Sequence, residues 1–397
     1  MVICSRRAKH LAAMLAVITV ALASSVAPAE SSGTSGPPTV VLSGNPGMLA
    51  IDTDTDTVYV PIQTGGVQVV NGARCNARAS EGCSVVATVP TGASLAAAVD
   101  ARTDTVYVVS GNDIWVIDGA RCNGTVTTGC DKQLATIKTA GNVEALALDL
   151  LTHTLYMASL NGAIFVADVA NCNTVTTSGC SAPTKEISDP YIPVDLSVDT
   201  STGTVYAANN GFCAGTTEDT SCPSGTGDTV SVIDGAACDA SVSAGCRRKP
   251  ALITVGEGAA WTELDEATET LYVASIISGT VSVIDIAHCN GRLTSGCRPA
   301  AEFKTGLGAA YVVVDQSLHT LFTVNSQSDT LTETNVLTCN GKVTSGCASF
   351  RGRQAGPTLG EYSNPTPNEG VLDLHTGTLY ITCEGGSQFV TALNASQ

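Results

Sequence analysis

Short runs of alternating apolar and polar residues fill most of the chain, and one pattern among them returns seven times. The pattern is Asp, two variable residues, usually Thr, one variable residue, Thr, then Leu or Val, and finally Tyr or Phe. Period-two alternation and β-branched residues are typical of strands. The seven copies begin at Asp52, Asp100, Asp149, Asp199, Asp265, Asp315 and Asp373.

Each repeat predicts four strands separated by turn residues. The second copy shows them as AAAVD, TVYVV, DIWVID and QLATIKT. A small sheet with two apolar faces cannot bury both of them alone, so neighbouring copies must pack face to face around an axis. The sequence therefore predicts an all-β fold, a seven-bladed β-propeller of four-stranded blades.

The ends of the chain predict how this ring closes. The last copy supplies only three strands before the sequence ends at Gln397, while residues 39–44 (TVVLSG) resemble the fourth strands of other blades. We therefore expect residues 39–44 to complete blade seven, which also covers a sheet edge that would otherwise be exposed.

The first residues of the chain have the pattern of a targeting segment. Arg6, Arg7 and Lys9 precede an apolar run from Leu11 to Leu22, and Ala27-Pro28-Ala29 offers small residues for a signal peptidase. The apolar run is too short for a membrane span, which needs about 20 residues. We expect a signal peptide at residues 1–29, a flexible leader at 30–38 and one propeller domain at 39–397, secreted to the cell exterior or envelope.

The repeat resembles the YVTN-repeat, YncE-like family of exported bacterial β-propellers. The residues that carry the resemblance are TVYV at Thr57, TVYVV at Thr105 and TLYVAS at Thr270, with TVSVID following at Thr229 and Thr280. The resemblance covers nearly all of the predicted mature chain. It implies the fold and export, whereas for function it implies only a surface, scaffold or ligand-binding role.

Cysteines follow the repeat in a regular way. Six blades carry a pair with seven intervening residues between the third and fourth strands: Cys75 and Cys83, Cys122 and Cys130, Cys172 and Cys180, Cys238 and Cys246, Cys289 and Cys297, and Cys339 and Cys347. Zinc sites have closer spacings with His partners, so we expect disulfides. Each would stabilise the fold by roughly 2.5 kcal/mol in the chain-entropy model. Cys213 and Cys222 form a further predicted pair, which leaves Cys383 as an unpaired, buried thiol.

Composition and charge narrow the partners. Only 14% of the residues are charged and 4% are aromatic, and the formal net charge is −17. Binding to a phosphate backbone needs clustered Lys and Arg, so nucleic acid is excluded as a partner. No later segment is apolar for long enough to span a membrane.

The repeat itself contains carboxylates, and we interpret them as structural. Residues 52–56 (DTDTD) begin like a calcium loop, but the sequence then lacks Gly at the sixth position and has Gln63 where a bidentate Glu is needed. Because Asp and Thr recur in all seven turns, we expect their side chains to bind the amides of their own turns.

Positions that break the repeat are the candidate functional residues. Four residues before each repeat Asp, the first three copies have Met48, Ala96 and Ala145. The later copies have Asp195, Trp261, Tyr311 and Glu369 there, and Glu263 lies two residues after Trp261. We expect these five residues at one mouth of the axial channel, where long insertions at 209–228 and 355–367 also fall.

Two functions fit this pattern. The first is a binding or scaffold module that needs no cofactor and recognises a protein, glycan or small molecule through these five residues. The second is a propeller enzyme of the lactonase or lyase type with calcium or magnesium at the channel mouth. Its metal ligands would be Asp195, Glu263, Glu369, Asn209 and Asn325. No Ser-His-Asp set can be assembled from the sequence, and we favour the binding module.

Overall fold

The structure is a computed structural model, and it describes residues 37–183, 185–210, 227–348, 350–354, 366–384 and 389–395. The expected signal peptide, most of the leader, the predicted Cys213–Cys222 pair and most of both long insertions lie outside these residues. The described chain contains 28 strands and a single 3-10 turn at Gly235–Ala237.

The strands form seven antiparallel sheets of four, which confirms the predicted all-β fold class. Blades one and two are β2 (Ala50–Asp52), β3 (Thr57–Pro61), β4 (Val67–Asn71), β5 (Val85–Val89), and β6 (Ser94–Asp100), β7 (Thr105–Ser110), β8 (Asp113–Asp118), β9 (Ala135–Lys138). Blades three and four are β10 (Val143–Asp149), β11 (Thr154–Ser159), β12 (Ala163–Asp168), β13 (Lys185–Ser188), and β14 (Pro193–Asp199), β15 (Thr204–Asn209), β16 (Thr229–Asp234), β17 (Ala251–Thr254). Blades five and six are β18 (Ala259–Asp265), β19 (Thr270–Ser275), β20 (Thr280–Asp285), β21 (Pro299–Lys304), and β22 (Ala309–Asp315), β23 (Thr320–Asn325), β24 (Thr330–Asn335), β25 (Phe350–Gln354). Blade seven is β26 (Thr366–Asp373), β27 (Thr378–Glu384), β28 (Phe389–Asn394) and, from the N-terminal part of the chain, β1 (Thr39–Val41).

The first strands of the blades form a closed ring. Each of the strands β2, β6, β10, β14, β18, β22 and β26 contacts the next, and β26 contacts β2. Blade seven is completed by β1, which pairs with β28 in the register Thr39 with Thr391 and Val41 with Phe389. The predicted seven-bladed propeller and its closure by the N-terminal strand are thus both present.

The core lies between blades, as two-faced sheets require. The second strands β3, β11, β15 and β19 are buried along their whole length. Between blades one and two, for example, Val67 and Val69 pack with Val106 and Val108. Val and Tyr suit this setting because β-branched and aromatic side chains fit a pleated, buried surface.

The Asp-to-Thr turns have the structural role expected of them. In all seven, the carboxylate Oδ1 of the repeat Asp accepts a hydrogen bond from the backbone N–H two residues later, at 2.8 to 3.1 Å. The fourth residue after this Asp has a φ between 47° and 67° in every copy, and it is Asp, His, Glu or Gly. The apparent calcium loop at residues 52–56 is one of these turns.

A buried hydrogen bond joins each of six blades to the next. The Tyr that ends the repeat pattern donates from its hydroxyl to the carbonyl oxygen of the first Cys in the following blade, at 2.6 to 2.9 Å. The six pairs are Tyr59 with Cys122, Tyr107 with Cys172, Tyr156 with Cys238, Tyr206 with Cys289, Tyr272 with Cys339, and Tyr380 with Cys75. Blade six has Phe322 at this position, and the following blade seven has no Cys pair.

A second hydrogen bond accompanies each of these six. The Thr two residues before the Tyr accepts, through its hydroxyl oxygen, an N–H from the residue two positions after that same Cys. For Thr204 and Gly291 the distance is 2.9 Å. A Cβ at Gly291 would lie 2.7 Å from Asp234 Cα, so this loop approaches the preceding blade too closely for a larger residue.

The six predicted disulfides of the repeat are confirmed. Each bridges the hairpin between the third and fourth strands of its blade, with Cα atoms 4.6 to 4.8 Å apart. The bridged loop is the same loop that receives the Tyr hydroxyl. Cys383 in β27 is buried and has a free thiol, as expected. In the part of the chain that the structure describes, no helix has the length and apolar character needed to cross a membrane.

We expect Tyr206→Phe to destabilise the fold by about 1–3 kcal/mol, because the buried Cys289 carbonyl then loses its donor. The midpoint of urea-induced unfolding measures this. Tyr191→Phe is the matched control, since Tyr191 is only half-buried and lies in the connection before β14. An equal loss in both variants would show that the hydroxyl of Tyr206 has no special role.

Candidate functional site

The structure places the repeat-breaking residues on the inner strands of four consecutive blades. Asp195, Trp261 and Tyr311 occupy the same register, where they pair with Ala208, Ala274 and Val324. Each follows a bulge near the start of its strand. Glu369 lies within the corresponding bulge of β26, between the paired residues Pro367 and Gly370.

Two aromatic rings meet where blade five faces blade six. The ring centroids of Trp261 and Tyr311 are 4.5 Å apart and the rings are tilted by 49°. Tyr311 is 4% exposed, whereas Trp261 is half-buried. Tyr311 continues towards blade seven, since a Cβ built on Gly370 would lie 3.4 Å from its Cε1 atom. Trp261 is therefore the aromatic residue of the pair that solvent reaches.

The carboxyl group of Asp195 ties blade four to blade five. Its Oδ2 accepts from both the backbone N–H and the hydroxyl of Thr262, at 2.8 and 2.7 Å. Burial raises the pKa of Asp195 to about 6, although these hydrogen bonds oppose the rise. With 4% of its surface exposed, Asp195 is a structural link that also adds negative charge beneath the aromatic pair.

Glu263 makes the corresponding link between blades five and six. Its Oε1 accepts from the N–H of Val314 at 3.1 Å. Burial raises the pKa of Glu263 to about 8, the Val314 N–H lowers it, and the carboxylates of Asp195 and Asp265 raise it. Part of the residue is still exposed.

The five predicted ligand-binding residues converge on the Tyr311 ring. Burial raises the pKa of Tyr311 well above its usual value, and the carboxyl groups of Glu263, Asp195 and Glu369 raise it further. The N–H of Glu369 also donates to the Thr382 hydroxyl at 3.1 Å. The cluster thus combines two aromatic rings with three carboxyl groups.

Asn209 and Asn325, the other two predicted metal ligands, point away from this cluster. Asp195 pairs with Ala208 and Tyr311 with Val324, so the next residue of each second strand faces the opposite side of its sheet. Asn325 Oδ1 accepts from the hydroxyl of Thr305 and the N–H of Gly306, at 2.9 and 3.0 Å. Its Nδ2 donates to the hydroxyls of Thr330 and Thr332.

Asn209 repeats this arrangement in blade four with one difference. Its Nδ2 donates to the hydroxyls of Thr229 and Ser231, at 3.1 and 3.0 Å. The residue ten positions before the repeat Asp is Thr305 in blade six but Asp189 in blade four. Asn209 Oδ1 and Asp189 Oδ2 are both buried and find no hydrogen-bond donor among the described residues, and both residues are 0% exposed.

Asp189 is a residue that the sequence reasoning missed. Burial raises the pKa of its carboxyl group, while hydrogen bonds from the Ser231 hydroxyl and the Tyr191 N–H lower it. A neutral carboxylic acid has a proton to donate, as the Thr305 hydroxyl has in blade six, whereas a carboxylate has none. In the sequence, aligning residues 188–190 (SDP) of blade four with residues 304–306 (KTG) of blade six shows that Asp189 takes the place of Thr305.

We expect Asp189→Thr to stabilise the fold by about 1–3 kcal/mol at pH 8, because it removes a buried acceptor that lacks a donor. The raised pKa means that the folded chain binds this proton more tightly than the unfolded chain does. The proton on Asp189 stabilises the fold fully below the pKa that Asp189 has in the unfolded chain. This stabilisation disappears as the pH rises through the pKa of Asp189 in the folded chain. The advantage of Asp189→Thr over the wild type should therefore be smaller at pH 5 than at pH 8.

Thr305→Asp is the reciprocal variant and should destabilise blade six, more at pH 8 than at pH 5. Urea-induced unfolding at both pH values measures both effects. If Asp189→Thr is no more stable than the wild type at pH 8, Asp189 Oδ2 is not an unsatisfied acceptor that destabilises blade four.

Within the described residues, no three or more His, Cys, Asp or Glu side chains form a group that could hold a metal ion. Burial, with a smaller effect from the Asp329 carboxylate, raises the pKa of the Cys383 thiol to about 12, which opposes a nucleophilic role.

A scan against protein-family models and a search of the curated proteins both give no match to the chain.

Proposed function

We propose that the protein is a binding module that takes its ligand at the mouth of the propeller channel, against Trp261. The ligand is a small molecule, or a side chain or sugar of a larger partner. The observation that supports this most is the aromatic and acidic cluster on blades four to seven. Blades one to three have Met48, Ala96 and Ala145 at the same register, so the fold does not require such residues there.

Trp261 distinguishes a binding function from a structural explanation of the cluster. Asp195 and Glu263 both bond the inner strand of the next blade, which would account for their presence without a ligand. Trp261 packs on Tyr311 of the next blade, but part of its surface stays exposed, which packing between the blades does not require. A half-exposed tryptophan beside carboxyl groups is a common feature of binding sites in rigid scaffolds.

The location that we propose is outside the cytoplasm. Six disulfides in one chain are typical of proteins that fold in an oxidising compartment. The targeting pattern at residues 1–29 supports export, and the resemblance of the repeat to YVTN-repeat propellers supports both export and a binding or scaffold role.

Trp261 also provides the means of testing this function. The chain has two tryptophans, so in Trp115→Phe the indole emission comes from Trp261 alone. We expect one class in a panel of ammonium ions, neutral sugars and carboxylates to change this emission saturably. The same probe should raise the melting temperature of the wild type, and Trp261→Ala should abolish that shift while still folding. A panel in which no probe changes the emission would contradict the proposal.

Metal content tests the enzyme alternative. For a binding module we expect no stoichiometric calcium or magnesium in dialysed protein, measured by elemental analysis. The comparison protein is the double variant Glu263→Gln, Glu369→Gln. One ion per chain in the wild type that is lost in the double variant would instead favour the metal-dependent hydrolase or lyase.

A further inference from the structure

The charged groups that act on Tyr311 are carboxyl groups. The charged groups that most affect the pKa of Tyr311 are the carboxyls of Glu263, Asp195 and Glu369. Those that most affect the pKa of Glu263 are the carboxylates of Asp195 and Asp265. None of the ion pairs between described residues includes Asp195 or Glu263. Hydrogen bonds from the backbone and from a hydroxyl hold these two carboxyl groups.

The accessible residues of the cluster define what a ligand would meet. Asp195 and Tyr311 are almost fully buried, so a ligand contacts mainly the half-buried Trp261, Glu263 and Glu369. An indole face attracts cations through its negative quadrupole, most strongly where water is excluded. A carboxylate beside it supplies the opposite charge, and the buried carboxyl groups behind it would repel an anionic ligand.

We propose that the ligand of this cluster is a small organic ammonium ion, held against the ring of Trp261 and paired with the carboxylate of Glu263. The inference rests on the proposed binding function and specifies its ligand class. Among the described residues, no cationic side chain forms an ion pair with Asp195 or Glu263. An ammonium ion with alkyl substituents supplies a positive charge together with an apolar surface that matches the indole.

Trp261 and Glu263 lie on one face of the same strand. They are two residues apart in β18, where Trp261 pairs with Ala274 and Glu263 with Tyr272, without a bulge between them. Side chains two residues apart in a strand point to the same side of the sheet. A cation against the indole can therefore also be paired with the Glu263 carboxylate.

A pair of probes of equal shape tests the charge requirement. Choline and 3,3-dimethylbutan-1-ol differ in having a quaternary nitrogen or a neutral carbon at the same place. In Trp115→Phe at constant ionic strength, choline should change the Trp261 emission saturably, and the alcohol should bind at least about tenfold more weakly, as expected for a desolvated cation–π contact. Equal affinity for both probes would overturn the inference.

Glu263→Gln tests the partner of the cation. We expect it to weaken choline binding by roughly five- to thirtyfold, with no effect on the alcohol. Glu266→Gln is the matched control, because Glu266 is exposed in the adjacent turn and should leave both affinities unchanged. Unchanged choline affinity in a folded Glu263→Gln variant would also overturn the inference.

The outcomes for the two proposals are distinguishable. Saturable binding of sugars or carboxylates with no binding of choline would refute the ammonium ligand while supporting a binding module at Trp261. Failure of every probe would refute both. Melting temperatures of each free variant show whether the loss of binding reflects loss of the fold.

Discussion

The propeller depends on a hydrogen bond between blades, from a tyrosine hydroxyl to the carbonyl of a bridged cysteine. It lies in the buried contact between sheets, where a carbonyl without a donor is costly. Because the disulfide closes the hairpin that carries this carbonyl, it restrains the loop that the tyrosine of the preceding blade contacts. The disulfides therefore act on the spacing of the blades as well as on their outer edges. Blade six has Phe322 in place of the Tyr, so it has no hydroxyl to donate, and the next blade has no Cys pair to bridge its hairpin.

Around the axis, polar residues link the inner strands in a similar way. Asp195 and Glu263 each bond the strand of the following blade, and the negative charge of these links accumulates on one side of the ring. Burial of such groups raises the free energy of their ionised forms. The carboxyl groups that link blades four, five and six therefore also make the proposed binding site acidic. In this part of the molecule, the residues that hold the ring together also determine which ligand charge it can accept.

Much of the fold could be predicted from the sequence because the repeat states it seven times. The four strands per blade, the closure by residues 39–44 and the local cysteine pairs all follow from spacing and alternation. What the sequence concealed are contacts between blades. The carboxyl group of Asp195 was predicted as a ligand group, yet Thr262 of the next blade already occupies one of its oxygens. Asn209 and Asn325 looked alike in sequence, and only the facing residue, Asp189 or Thr305, makes their environments differ.

The junction that closes the ring differs mechanically from the other connections. The six disulfides between described residues are all local, so none of them crosses this seam. It is held by the three-residue strand β1, by the contact of β26 with β2 and by the hydrogen bonds of Tyr380 and Thr378 to the Cys75 loop. Thr39 pairs with Thr391, which puts the chain entering β1 and the chain leaving β28 at the same end of the ladder. A force pulling these two segments apart would break the hydrogen bonds between β1 and β28 one after another, starting at the pair of Thr39 and Thr391. Bridged hairpins elsewhere would stay closed, so blade seven would lose its outer strand before any disulfide-closed hairpin opened.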